Sequence, residues 1–91
     1  MDKEIDYYRT ASGLTAGKSL YDYQYKYFQT QTGLPVGSTL DDMKSKFYGD
    51  ATGLLNNDDA EYQWLSTQLS DSSRTKSVKD LWKKFFDLNV S

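Results

Sequence analysis

Aromatic and aliphatic positions recur along this chain with a period of twenty residues. The pairs Tyr7-Tyr8, Tyr27-Phe28 and Phe47-Tyr48 are each followed, five residues after the second aromatic, by Gly13-Leu14, Gly33-Leu34 and Gly53-Leu54. Between them run Ser19-Leu20-Tyr21-Asp22 and Thr39-Leu40-Asp41-Asp42, and Ser77-Val78-Lys79-Asp80 leads into Lys84-Phe85-Phe86 at the spacing that takes Thr39 to Phe47-Tyr48. Self-similarity of this kind sets the frame for any reading of the fold.

Each part of the repeat has a helical meaning. Ser19, Thr39 and Ser77 are N-cap residues, with Asp22, Asp42 and Asp80 at the third helical position as the acidic half of a capping box. Glycine most cheaply takes the left-handed conformation that ends a helix, and the leucine after it supplies the apolar clasp of a Schellman motif. The pattern predicts helices near 2–12, 19–32, 39–52, 58–69 and 77–88. The third unit departs from the pattern: Asn56-Asn57-Asp58-Asp59 replaces the glycine-containing loop, and Asp58 with Glu61 is the expected cap pair. The fold class is all-α, a small helical-repeat domain of four to five short helices with Gly-Leu stops. It is expected to form one domain over 1–91, with units near 1–18, 19–38, 39–57, 58–76 and 77–91.

The segment Tyr21–Phe28, YDYQYKYF, tests that frame because it alternates like a half-buried strand. Its counterpart Asp41–Tyr48, DDMKSKFY, has no such alternation, and a capping box and a Gly-Leu stop enclose both. Helix is therefore expected. Leu20, Tyr23 and Tyr27 then share a core face with the columns Leu40, Met43, Phe47 and Val78, Leu81, Phe85. Tyr21, Tyr25 and Phe28 form a second stripe, and the next repeat has Asp41 and Ser45 in place of the two tyrosines. The repeat does not ask for tyrosine there. Those rings either cover a neighbouring segment or offer a partner large amphipathic contact area.

Composition narrows the chemistry. The chain has 91 residues, no cysteine and no histidine, which removes Cys/His zinc sites, thiol nucleophiles and a histidine base. A net charge of −2 argues against nucleic acid as the partner. No apolar run reaches the ~18 residues that span a bilayer. The charged start MDKEID is no secretory signal, so Asn89-Val90-Ser91 carries little weight as a glycosylation sequon. The adjacent acids Asp41-Asp42 and Asp58-Asp59 point about 100° apart on a helix and sit where helices begin, so capping explains them better than paired-carboxylate catalysis. Asp50 to Glu61 has the span of a calcium loop, but Thr52, Leu54 and Leu55 occupy positions where that loop needs ligands and a glycine. No catalytic, metal or cofactor residue is expected, and no small-molecule substrate.

The last helix is different. Lys76, Lys79, Lys83 and Lys84 interleave with Trp82, Phe85 and Phe86. Residues 50–75 carry five acids against Arg74, net −4, whereas 76–91 carry net +2. A solvated helix face is the first expectation; otherwise the basic helix lies against the acidic segment, meets a neighbouring subunit's acidic part, or serves a nucleic-acid- or surface-binding regulator, the alternative function.

The repeat of aromatic pair, Thr-Gly-Leu and Ser/Thr-Leu-x-Asp resembles short helical repeats in virion structural proteins of tailed bacteriophages of actinobacteria, over residues 7–53 and partly over 77–86. The resemblance implies a non-enzymatic structural protein, a capsid-decoration, minor capsid or tail-associated component made in the host cytoplasm and carried in the particle. Its partners would be proteins of a larger, multi-copy assembly. The residues expected to meet them are Tyr21, Tyr25 and Phe28, with Lys79, Trp82 and Lys83 on the basic helix.

Overall fold

The computed structural model describes residues 2–90; Met1 and Ser91, the last residue of the sequon, lie outside the described residues. Five helices follow one another: α1 (Lys3–Ser12), α2 (Leu20–Thr32), α3 (Leu40–Thr52), α4 (Asn57–Leu69) and α5 (Val78–Asn89). No strand occurs among the described residues, and YDYQYKYF lies wholly within α2. None of these helices is long and apolar enough to cross a membrane.

The helix starts follow the capping chemistry. The Ser19 hydroxyl accepts from the Asp22 N–H at 3.1 Å while Asp22 accepts from the Ser19 N–H at 3.4 Å, a reciprocal capping box. Thr39 and Ser77 accept from Asp42 and Asp80 at 3.0 and 3.2 Å. The fourth helix corrects the expected cap: Asn56, not Asp58, accepts from the Asp59 N–H at 3.0 Å, and α4 begins at Asn57. A side-chain amide oxygen caps as well as a carboxylate, and the shorter loop leaves Asp58 and Asp59 in the first turn, where the helix dipole favours them.

The helix stops correct the expected Schellman motif, whose leucine N–H to helix-carbonyl bond is replaced. Gly33 and Gly53 take the left-handed conformation and donate to Gln29 and Gly49 at 2.9 and 2.8 Å, the single bond of the simpler αL stop. The following leucine N–H turns to a hydroxyl instead of a helix carbonyl. Thr32 accepts from Leu34 at 3.3 Å and donates to the Phe28 carbonyl at 2.7 Å; Thr52 accepts from Leu54 at 3.2 Å and donates to Tyr48 at 2.7 Å. Ser12 does the same between Leu14 and Arg9. The hydroxyl of Ser/Thr-Gly-Leu thus relays between the last turn and the exit, and that explains why the repeat keeps it.

The chain gathers into two compact units whose boundary falls inside α3, between Phe47 and Tyr48. In the first unit α1 packs on α2, and Tyr8, Tyr23, Phe28 and Met43 are buried. Its aromatic pairs form a continuous edge-to-face cluster: Tyr7, Tyr8, Tyr27, Phe28 and Phe47 lie with neighbouring centroids 5.0–6.5 Å apart. In the second unit α4 packs on α5 around Ala60, Leu65, Leu81, Phe85 and Phe86. There Trp64 is the hub, 5.5 Å from both Tyr48 and Phe85 and 5.9 Å from Trp82. Tyr23, Met43 and Leu81, the middle column of the expected core face, are fully buried. Its flanks are corrected: Leu20, Tyr27, Leu40 and Phe47 are half-buried and Val78 is 39% exposed, while Tyr8, Phe28 and Tyr48, the second members of the aromatic pairs, are buried.

Candidate partner-binding groove

The stripe Tyr21, Tyr25, Phe28 divides in three. Phe28 is 1% exposed and packs 5.5 Å from Phe47 and 5.9 Å from Tyr8, so its assignment to a partner surface is corrected: it is core. Its place in the aromatic-pair column with Tyr8 and Tyr48, both also buried, carried that signal in the sequence. Tyr25 is half-buried, and its hydroxyl donates to the Ser38 carbonyl at 2.9 Å and accepts from the Gly37 N–H at 3.0 Å. It fastens α2 to the following loop. Tyr21 is 56% exposed, and its hydroxyl has no partner among the described residues.

Two loops flank this part of α2. The loop after α1 places Gly17 at φ +96° and the loop after α2 places Gly37 at φ +108°. In the second, Ser38 donates to the Pro35 carbonyl at 3.1 Å, a tight turn whose third residue needs the positive φ that glycine adopts without strain. In the first, the Tyr23 hydroxyl stands between the corresponding groups, donating to the Thr15 carbonyl at 2.9 Å and accepting from the Lys18 N–H at 3.1 Å. Phenol oxygens on successive outer and inner positions of one helix therefore hold both loops in place.

Between α2 and these loops lies an open groove of about 970 Å³. Its apolar surface comes from Leu14, Val36 and Leu40 with the rings of Tyr21 and Tyr25, whose centroids are 5.8 Å apart at 34°. Lys18, Lys26, Asp22 and Asp41 line its edges, two of each sign. Val36 is 83% exposed, so the groove presents an aliphatic lip as well as an aromatic wall. All of these residues belong to the first unit.

The expected residues of the last helix lie in the second unit. Trp82 is half-buried, stacked on Phe86 at 5.3 Å and 20°, and its ring N–H donates to Glu61 at 3.0 Å. Its ring is committed to the core of that unit. Lys79 and Lys83 are exposed. Lys76 is occupied by Asp71, 2.8 Å away, and that ammonium together with the Ser73 hydroxyl and N–H holds the Asp71 carboxyl well below the usual carboxylate range. The basic cluster available to a partner is accordingly smaller than Lys76–Lys84.

The acidic segment 50–61 does not come together as a loop. Asp50 lies within α3, Asp58 and Asp59 begin α4, and Glu61 is held by Trp82. Among the described residues no three carboxylates gather in a way that could hold a metal ion. No protein-family model, curated protein or solved structure matches this chain.

Proposed function

We propose that this chain is a non-catalytic interaction protein that docks onto a protein partner through the groove beside α2, and that it serves as a small structural component of a phage virion. The observation that carries the docking surface is Tyr21: an exposed ring with an unengaged hydroxyl, beside a second ring that the loop already holds fixed. Burying an aromatic side chain stabilises a contact by about 1.5–3 kcal/mol, and a wall that is ordered beforehand loses little entropy on binding. Tyrosine is also among the residues that dominate interface energies. The mixed charges of Lys18, Lys26, Asp22 and Asp41 would orient the partner more than they hold it. The virion setting rests on the resemblance of the repeat, and many copies on a symmetric particle would let a modest contact suffice through avidity.

Tyr21→Ser tests the reading. Its side chain is exposed, so the far-UV spectrum and melting temperature should stay at wild-type values. Binding to capsid or tail proteins of tailed actinobacterial phages, measured by biolayer interferometry on the immobilised chain, should weaken by roughly tenfold or more. Wild-type binding by the variant, or no binding by the wild-type chain, would sink the proposal.

A further inference from the structure

Among the described residues, which include all eight tyrosines, Tyr21 is the only exposed one. Phenols and indoles are the side chains that most readily give up one electron. The indoles of Trp64 and Trp82 are half-buried and packed among other rings in the second unit. Tyr21 is therefore the ring most open to a one-electron oxidant arriving from solvent, and a second phenol stands beside it. Tyr25 lies one turn further along the same face of α2, its centroid 5.8 Å away and its plane tilted by 34°. Both rings line the open groove. Hydrogen bonds to Ser38 and Gly37 fix the Tyr25 hydroxyl, whereas the Tyr21 hydroxyl has no partner among the described residues and its ring is free to turn. Tyr7, Tyr8 and Tyr27 are also close neighbours, but they stand at 64–82° to one another, edge against face, and Tyr8 is buried.

We propose that Tyr21 and Tyr25 are a modification site at which oxidation joins the two rings, carbon to carbon, as dityrosine. The oxidant is hydrogen peroxide used by a haem peroxidase, which takes one electron and one proton from each phenol and is itself reduced to two molecules of water. The unpaired electron of each phenoxyl is shared with the carbons ortho to its oxygen. One such carbon from each ring forms the new bond, and the hydrogen on that carbon moves to the oxygen of its own ring, which restores both phenols. Rings packed edge against face must turn within the core before two ortho carbons can meet. A tilted pair with one fixed and one mobile member meets no such obstacle. Exposed side chains change rotamer in picoseconds to nanoseconds, so Tyr21 samples the bonding arrangement repeatedly while the radicals last. Proximity makes the coupling intramolecular and sets it ahead of bridging between copies. The bridge ties one turn of α2 and, through Tyr25, the loop that carries Ser38. It converts a groove wall with one movable ring into a fixed one.

Treatment of the dilute, full-length chain with a haem peroxidase and hydrogen peroxide tests it. The blue emission of dityrosine should appear while the product still runs as a monomer on a denaturing gel. The tryptic peptide Ser19–Lys26 should lose two hydrogens, and its fragmentation should place the bridge between Tyr21 and Tyr25. Tyr21→Phe, a change at an exposed ring, should remove the emission without altering the far-UV spectrum. Tyr25→Phe should remove it too, and Tyr27→Phe should leave it at the wild-type level. Wild-type chain that gives no dityrosine overturns the proposal. So does a bridge found only between copies, emission that survives Tyr21→Phe, or emission lost in Tyr27→Phe, which would move the reaction to the Tyr7 cluster. None of these measurements needs a partner in the groove, so their failure is separate from failure of the docking reading.

Discussion

The loops on either side of α2 have the same length and the same Gly-Leu-x-x-Gly frame, yet they are held from opposite directions. The loop before α2 is fastened by Tyr23, a buried residue that reaches back, and its hydroxyl replaces a turn bond. The loop after α2 is fastened by Tyr25, a half-buried residue that reaches forward, and this turn also closes on itself through Ser38 and Pro35. The difference teaches that one requirement, satisfied backbone groups in an exposed turn, has been met twice from a single helix by unrelated positions of the repeat. It also answers why α2 holds Tyr25 where α3 has Ser45: the connection after α3 is shorter and gives Ser45 no such turn to hold.

The comparison can be broken most forcefully at Tyr23. Tyr23→Phe keeps the ring in the core but strands the Thr15 carbonyl and Lys18 N–H, and should cost about 1–2 kcal/mol, a fall of roughly 5–10 °C in melting temperature. Thermal denaturation followed by circular dichroism measures it, and an unchanged melting point would show that water replaces the phenol without loss. Tyr25→Phe should cost less, about 0.5–1 kcal/mol, because its turn keeps the Ser38–Pro35 bond. Equal losses from the two variants would contradict the asymmetry described above.

The smallest effect near neutrality is expected at Tyr27, on the same helix. Burial raises its phenol from 10.0 to about 12, with the neighbouring Tyr7 adding to the shift. The folded chain thus keeps a proton that the unfolded chain gives up. Stability should be level below pH 10 and should fall as pH rises from 10 toward 12, since the unfolded state binds fewer protons across that window. Tyr27→Phe should flatten the alkaline limb of a urea-unfolding series against pH while leaving values near pH 7 almost unchanged. An alkaline limb of wild-type steepness in that variant would remove Tyr27 as its source.

Most of the fold was legible because the repeat repeats its punctuation. Ser19, Thr39 and Ser77 announce helix starts by residue type and spacing, and the glycines announce stops. The frame failed where it was followed too literally. It placed the fourth helix start at Asp58, although Asn56 is an equally good cap and the chain shortens there. The candidate site was half legible. Helical spacing grouped Phe28 with Tyr21 and Tyr25, while the aromatic-pair column that correctly makes it core was the stronger signal. The hydroxyl bonds of Tyr23 and Tyr25 could not be read from the sequence, because they join a helix to loops whose path depends on tertiary packing.

The division of aromatic residues between the two units has a spectroscopic consequence. Both tryptophans, Trp64 and Trp82, belong to the unit that begins at Tyr48, and the earlier unit holds six of the eight tyrosines and no indole. Emission excited at the red edge of indole absorption therefore reports one half of the chain alone, with Trp82 sensitive to its Glu61 bond and its stack on Phe86. Tyrosine ultraviolet difference absorbance is weighted toward the other half. Native wild-type protein carries its own pair of probes, and the coincidence or separation of their melting curves reads directly whether the two units unfold together.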